Sequence, residues 1–169
     1  MDNSDCSSNS ITLKEMETYN KIISIEINIE VKTYDIDVAG HVNNIVYIRW
    51  LEDMRIELFT KIYPLEKLLA INFYPVVTSS EIKYKKQIKL FDKTVGKMLL
   101  QSYSHGVFIL KAEIIVNGKL SFTATQKCVL MNLTSGQMLP QNQSDLLYPG
   151  LLTKNLFRSN KQEFLTANK

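Results

Sequence analysis

The 169-residue chain predicts an α+β domain in which one long helix lies on a single antiparallel sheet. Three observations carry that expectation. A run of period two opens at Ile23, an apolar run of helical period follows Asn44, and strand-like segments joined by short turns fill residues 76–133.

In ISIEINIEVKTY, Ile23, Ile25, Ile27, Ile29 and Val31 alternate with Ser24, Glu26, Asn28 and Glu30. Such alternation gives a strand one apolar and one polar face. The next stretch, YDIDVAGHVNN, crowds two acids, a glycine, a histidine and two asparagines between Asp35 and Asn44. Beyond it, Tyr47, Trp50, Leu51, Met54 and Leu58 share one helical stripe, with Arg49, Glu52, Asp53, Glu57 and Lys61 on the other side. Asn43 or Asn44 suits the cap, because an Asn side-chain oxygen accepts from amides that a helix start leaves unpaired. The spacing predicts a helix over roughly 44–61, and Ile45, Val46, Ile48, Ile56 and Phe59 widen its apolar arc, so deep packing against the sheet is expected.

Pro64 and Pro75 bracket a connection with no clear pattern. VVTSSEIKYKKQIKLF (76–91), TVGKMLLQSYS (94–104), VFILKAEIIVNG (107–118) and KLSFTATQKCVLMNL (119–133) are rich in branched and aromatic residues and read as strands. Phe91-Asp92-Lys93, Ser104-His105-Gly106 and Asn117-Gly118 separate them, with His105 read as a turn residue. Asn-Gly between alternating runs favours a two-residue hairpin, since both residues tolerate positive φ. Short connections make neighbours antiparallel. One helix covers only part of such a sheet, so its remaining face and edges predict self-association. The expected division is a flexible arm over 1–20, the domain over 21–140, and a tail over 141–169 that either docks as a short helix or stays loose.

The hydrophobic fraction of 45% and charged fraction of 22% are those of a globular protein. Twenty basic and seventeen acidic residues leave +3, too mild a charge to imply a nucleic-acid partner. Cys6 and Cys128 have no metal or redox spacing, which favours a reducing compartment, and two histidines without clustered cysteines argue against a metal site. No apolar export segment opens the chain and no window is apolar enough to span a membrane, so a cytoplasmic location is expected. A G-x-S-x-G elbow and a phosphate-binding glycine loop are both missing, which argues against serine hydrolase or nucleotide-dependent chemistry.

The pattern Asp35-x-Asp37-x-x-Gly40-His41-Val42-Asn43-Asn44-x-x-Tyr47, running into Trp50-Leu51-Glu52-x-x-Arg55, resembles the signature of the hotdog-fold thioesterases. It is most similar to that of the 4-hydroxybenzoyl-CoA thioesterase-like enzymes and the plant acyl-acyl-carrier-protein thioesterases. The predicted order of strand, helix and four strands, over about residues 22–133, agrees with that fold. The resemblance implies a long central helix wrapped by a curved five-stranded antiparallel sheet, in a homodimer or homotetramer with active sites between subunits. It implies hydrolysis of acyl-CoA or acyl-carrier-protein (acyl-ACP) thioesters, with no cofactor beyond the thiol carrier of the substrate itself.

The residue types suit that reaction. A thiol of pKa about 8.5 leaves without much help from an acid, so the site must supply an attacking group and stabilise an oxyanion. A helix start offers free amides and a partial positive charge, and a carboxylate beside it can attack or activate water. The resemblance assigns Asp37 as base or nucleophile and the amide near Asn44 as the carbonyl-polarising donor. It gives His41 and Asn43 supporting roles and Gly40 the turn that returns the loop to the helix; Tyr47 reads as a core residue of the buried stripe that lies near enough to the helix start to border an acyl pocket. Lys83, Lys85, Lys86, Lys89, Lys93 and Lys97 form a basic stretch that reads as a solvated sheet edge or, in the functional alternative, attracts the phosphates of coenzyme A or an acidic carrier protein, with Lys85 and Lys86 as the substrate-binding candidates. In Tyr84-Lys85-Lys86-Gln87-Ile88, Gln87 stands where the plant enzymes have a glutamate and Ile88 where they have a cysteine, while Ala39 replaces an asparagine. Gln87 can hold a water but cannot act as a base, so Asp37 is the main candidate and the bacterial enzymes the better guide. The His41-Val42-Asn43-Asn44 variant resembles the fatty-acyl branch. Aromatic acyl-CoA hydrolysis and acyl-thioester binding without hydrolysis are the alternatives.

Overall fold

The structure, a computed structural model, describes residues 23–104 and 106–139; the arm at 1–20, the tail at 141–169 and His105 lie outside the described residues. Strand β1 (Ser24–Ile29) leads through a 3-10 turn at Thr33–Asp35 to helix α1 (Asn44–Ile62) and the short α2 (Leu65–Ala70). Strands β2 (Phe73–Tyr84), β3 (Thr94–Ser104), β4 (Val107–Val116) and β5 (Lys119–Asn132) follow. They form one five-stranded sheet in the order β1-β3-β4-β5-β2 with every neighbouring pair antiparallel, so β1 and β2 are the edges. The predicted α+β architecture is the observed one.

Alternation places Ile25 and Ile29 of β1 in the core, and α1 buries Val46, Tyr47, Trp50, Leu51, Met54, Leu58 and Phe59 beside Leu110, Ile114 and Phe122 of the sheet. Gly96 makes the close approach possible. A Cβ there would lie 2.7 Å from Met54 Sδ and 2.9 Å from Ile29 Cδ1. The β4–β5 hairpin turns on Asn117 and Gly118, at φ +48° and +76°, as the Asn-Gly pair requires.

One charged side chain on α1 is buried. Arg55 donates to Gln126 Oε1 at 3.2 Å and pairs with Glu52, while Gln126 donates to Ser80 Oγ at 3.0 Å. This chain of bonds links α1, β5 and β2 and supplies the partners that a buried charge needs. Burial also pushes the Cys128 thiol up to about 11, against the pull of the nearby Arg55 charge.

Two expectations are corrected, and one segment left without a pattern is resolved. Ile45, Ile48 and Ile56 are exposed rather than packed on the sheet, because a helix on one sheet buries one face and these residues lie on the opposite stripe. The segment 76–91 is not one strand: the ladder stops at Tyr84, where the Lys85 and Lys86 amides both donate to the Ser121 carbonyl, at 2.8 and 3.0 Å. Between the prolines a helix forms, and Pro75 falls inside β2, an edge strand where its missing N–H is tolerated.

Candidate active site

The site begins with two acids that have different surroundings. Asp35 is 4% exposed; its Oδ2 accepts from the Lys32 amide at 2.9 Å and its carbonyl accepts from the Asn43 amide at 2.9 Å. It staples the loop to the end of β1. Between Ile36 and Val42, which pair as an antiparallel bridge, the chain forms a narrow hairpin. The Asp37 amide donates to the His41 carbonyl at 2.9 Å and the Gly40 amide to the Asp37 carbonyl at 3.0 Å. Gly40 sits at φ +79°, the left-handed conformation that the return needs.

The Asp37 side chain is 31% exposed. Its Oδ1 accepts from the Ala39 amide at 2.8 Å and lies 3.9 Å from His41 Nδ1, while Oδ2 has no partner among the described residues. His41 is partly exposed beside it. Then α1 starts. Asn43 is the cap, accepting from the Ile45 amide at its Oδ1 (3.0 Å) and from the Val46 amide at its carbonyl (2.9 Å). The amide of Asn44, the first helical residue, has no acceptor among the described residues. It is a free donor at the positive end of a nineteen-residue helix.

In front of that helix start lies a pocket of about 240 Å³ lined by His41, Val42, Asn44, Tyr47, Tyr84, Lys85, Lys86 and Gln87. The Val42 amide donates to the Ile88 carbonyl at 2.8 Å and holds its two walls together. The floor is aromatic. Tyr47 stacks on Phe122, with centroids 5.0 Å apart, and meets Tyr84 edge-on at 5.1 Å. Burial raises the Tyr47 hydroxyl to about 12, Tyr84 adds to the shift and a backbone hydrogen bond at Ile88 opposes it. At neutral pH Tyr47 is therefore a neutral phenol and not a base.

The fold thus gathers His41, Asn44, Tyr47, Lys85, Lys86 and Gln87 around one pocket. Gly40 and Asn43 support the loop and cap without lining it. Asp37 is likewise not among the lining residues; its carboxylate stands next to His41, which is. Two lining residues carried no assigned role: Val42, whose only signal was an apolar residue inside a polar loop, and Tyr84, visible only as an aromatic beside the two lysines. Among the described residues no group of three His, Cys, Asp or Glu side chains is gathered as a metal site would need.

Several solved structures share this architecture. A DHNA-CoA thioesterase from Staphylococcus aureus superposes with a TM-score of 0.68 at 20% identity, covering 86% of this chain and 95% of that one. A thioesterase from Thermus thermophilus, solved with coenzyme A and zinc, gives 0.59 at 26% identity over 68% of this chain and 88% of its own. A gentisyl-coenzyme A thioesterase gives 0.61 at 18% identity over 69% and 94%. Among curated proteins no sequence matches. The profile of the thioesterase-like superfamily matches residues 31–151, which hold the acid loop, the whole of α1 and the lysine wall, so the chain belongs to the thioesterase-like superfamily, as a thioester hydrolase of the hotdog fold.

Proposed function

We propose that the protein hydrolyses acyl-CoA thioesters in the pocket at the start of α1, releasing a free acid and coenzyme A. The observation that carries this reading is the Asn44 amide, unpaired among the described residues and opening onto a pocket whose rim holds His41 and whose supporting loop holds Asp37. The thioester oxygen accepts from that amide, so charge developing on it meets the positive end of the helix. Asp37, through its unengaged Oδ2, takes a proton from water as the water oxygen bonds to the acyl carbon; the C–S bond then breaks and the thiolate departs. His41, 3.9 Å from the same carboxylate, borders the path and steadies the charge. Gln87 orients the water, and Lys85 and Lys86 attract the carrier phosphates.

Fatty acyl groups are the first reading, from the His-Val-Asn-Asn variant. The two aromatic side chains that line the pocket, Tyr47 and Tyr84, favour aromatic acyl groups as the second, because ring-on-ring contact adds about 0.5–1.5 kcal/mol per pair. Pairing of two copies is part of the proposal: Ile45, Ile48 and Ile56 on α1 and Val76 on the edge strand β2 leave apolar surface uncovered.

A thiol-release assay over fatty and aromatic acyl-CoAs tests the proposal, with Asp37→Asn alongside. Turnover by the wild type and its loss in the variant is the expected result. Tight acyl-CoA binding without release by either protein would replace hydrolysis with binding. Near-full activity of Asp37→Asn would remove Asp37 from the mechanism.

A further inference from the structure

The three most exposed large hydrophobic side chains among the described residues are Val38 at 110%, Phe91 at 90% and Tyr34 at 78%. All three lie at one end of the domain. The antiparallel order brings the ends of β1, β2 and β4 and the starts of β3 and β5 to that end, together with the start of α1. Tyr34 and Phe91 border the same open groove, and the Ile36–Val42 bridge with the Val42–Ile88 bond sets the Val38 hairpin beside the connection that carries Phe91. Phe91 is held outward on a backbone at φ +70°, a conformation that a bulky residue rarely adopts.

Charge is concentrated there too. The connection 85–93 carries four lysines against the single acid Asp92; Lys85 and Lys86 line the pocket, which leaves Lys89 and Lys93, both exposed, for a surface contact. The Asp92 carboxylate is already occupied, by the Lys89 amide at one oxygen and Asn117 Nδ2 at the other, both at 2.8 Å. Nearby Glu30 is paired with Lys32 and Asp35 is buried, which leaves Asp37 as the remaining acid of the adjoining loop.

We infer that this end of the domain docks on an anionic lipid surface, with Tyr34, Val38 and Phe91 entering the headgroup layer and Lys89 and Lys93 above them meeting lipid phosphates. Exposed aromatic and aliphatic side chains ringed by lysines are what interfacial binding uses: apolar burial gives contact, and the anionic leaflet attracts the basic groups. A second copy is a poorer occupant, because a two-fold contact through this end would bring two basic clusters into one interface. The inference rests on exposure and charge and does not depend on hydrolysis.

Co-sedimentation of the full chain with phosphatidylcholine vesicles, with and without phosphatidylglycerol, tests it. Binding to the anionic vesicles alone, weakening as salt rises, is expected. Tyr34→Ser with Phe91→Asn should weaken partitioning by about ten-fold or more, Asn being chosen because it tolerates the left-handed backbone. Lys89→Glu with Lys93→Glu should remove the anionic preference. Val38→Ser alone, at a residue too exposed to matter for folding, should weaken binding measurably, and melting temperatures check that the double variants fold. Equal sedimentation with both vesicle types, no sedimentation, or unchanged binding by the Tyr34/Phe91 variant would overturn the proposal. So would a concentration-dependent self-association of the wild type that those same variants abolish without any vesicle binding, or capture by an acidic protein under conditions where vesicles are ignored.

Discussion

The two walls of the pocket are held by different kinds of contact. The wall over 35–44 supports itself: the Ile36–Val42 bridge, the bond from the Asp37 amide to His41 and the Asn43 cap are all local. The wall over 84–88 is held from a distance, with the Lys85 and Lys86 amides on the Ser121 carbonyl and the Ile88 carbonyl on the Val42 amide. Under the proposed mechanism, such a loop would hold Asp37 and His41 in register with the helix end, tied to the other wall through the Val42 amide. The same contrast appears inside the first wall, where Asp35 is sealed by an amide and Asp37 keeps one carboxylate oxygen unengaged among the described residues.

The sharpest way to break this comparison is Asp37→Asn. It should lower kcat for acyl-CoA by about 10²–10⁴-fold with little change in melting temperature, read by single-turnover thiol release. Asp35→Ala should do the reverse, removing the acceptor of the Lys32 amide at a cost of about 1–3 kcal/mol in urea unfolding. If Asp35→Ala lost turnover at unchanged stability, the two roles would have to be exchanged. Gly40→Ala meets no atom within 4 Å, so its cost is conformational, about 1–2 kcal/mol, and loosening of the loop should show as a fall in kcat.

On the other wall, Lys85→Ala and Lys86→Ala should each raise KM by about 1.5- to 5-fold, more at low salt, with kcat preserved, since exposed charges contribute about 0.2–1 kcal/mol each. An effect on kcat instead would mean that the lysine wall touches the reacting atoms. A separate expected effect, on stability rather than turnover, is with pH. Cys128 and Tyr47 lose their protons at higher pH in the folded chain than in the unfolded one, from 9.0 to about 11 and from 10.0 to about 12. The folded state therefore holds extra protons in that range, and stability should be complete below pH 9 and fall above it, as denaturation midpoints across alkaline buffers would reveal.

Much of this was legible in the residues. The alternation from Ile23 is β1, the apolar stripe through Tyr47, Trp50, Leu51, Met54 and Leu58 is the buried face of α1, and Asn117-Gly118 is the hairpin turn. Each depends on contacts a few residues apart, so side-chain period and turn chemistry are enough to read it. The same stripe did not reveal that Arg55 is buried: its charge partner Glu52 is local, but Gln126, which accepts from it, and Ser80, which accepts from Gln126, come from strands more than twenty residues away. Nor did the run from Val76 to Phe91 reveal its break, since Lys85 and Lys86 leave the ladder only when the Ser121 carbonyl is there to take both amides.

Local chemistry alone dictates the cap at Asn43, the left-handed turn at Gly40 and the helix that presents the Asn44 amide. Folding in three dimensions decides that Gln87 and the two lysines stand opposite that amide, and that His41 rather than Asp37 lines the pocket between them. The physical reason is sequence separation: neighbours along the chain meet through backbone geometry that each residue carries with it, whereas residues 41 and 87 meet only through the register of a sheet whose strands must all pair before the pocket exists.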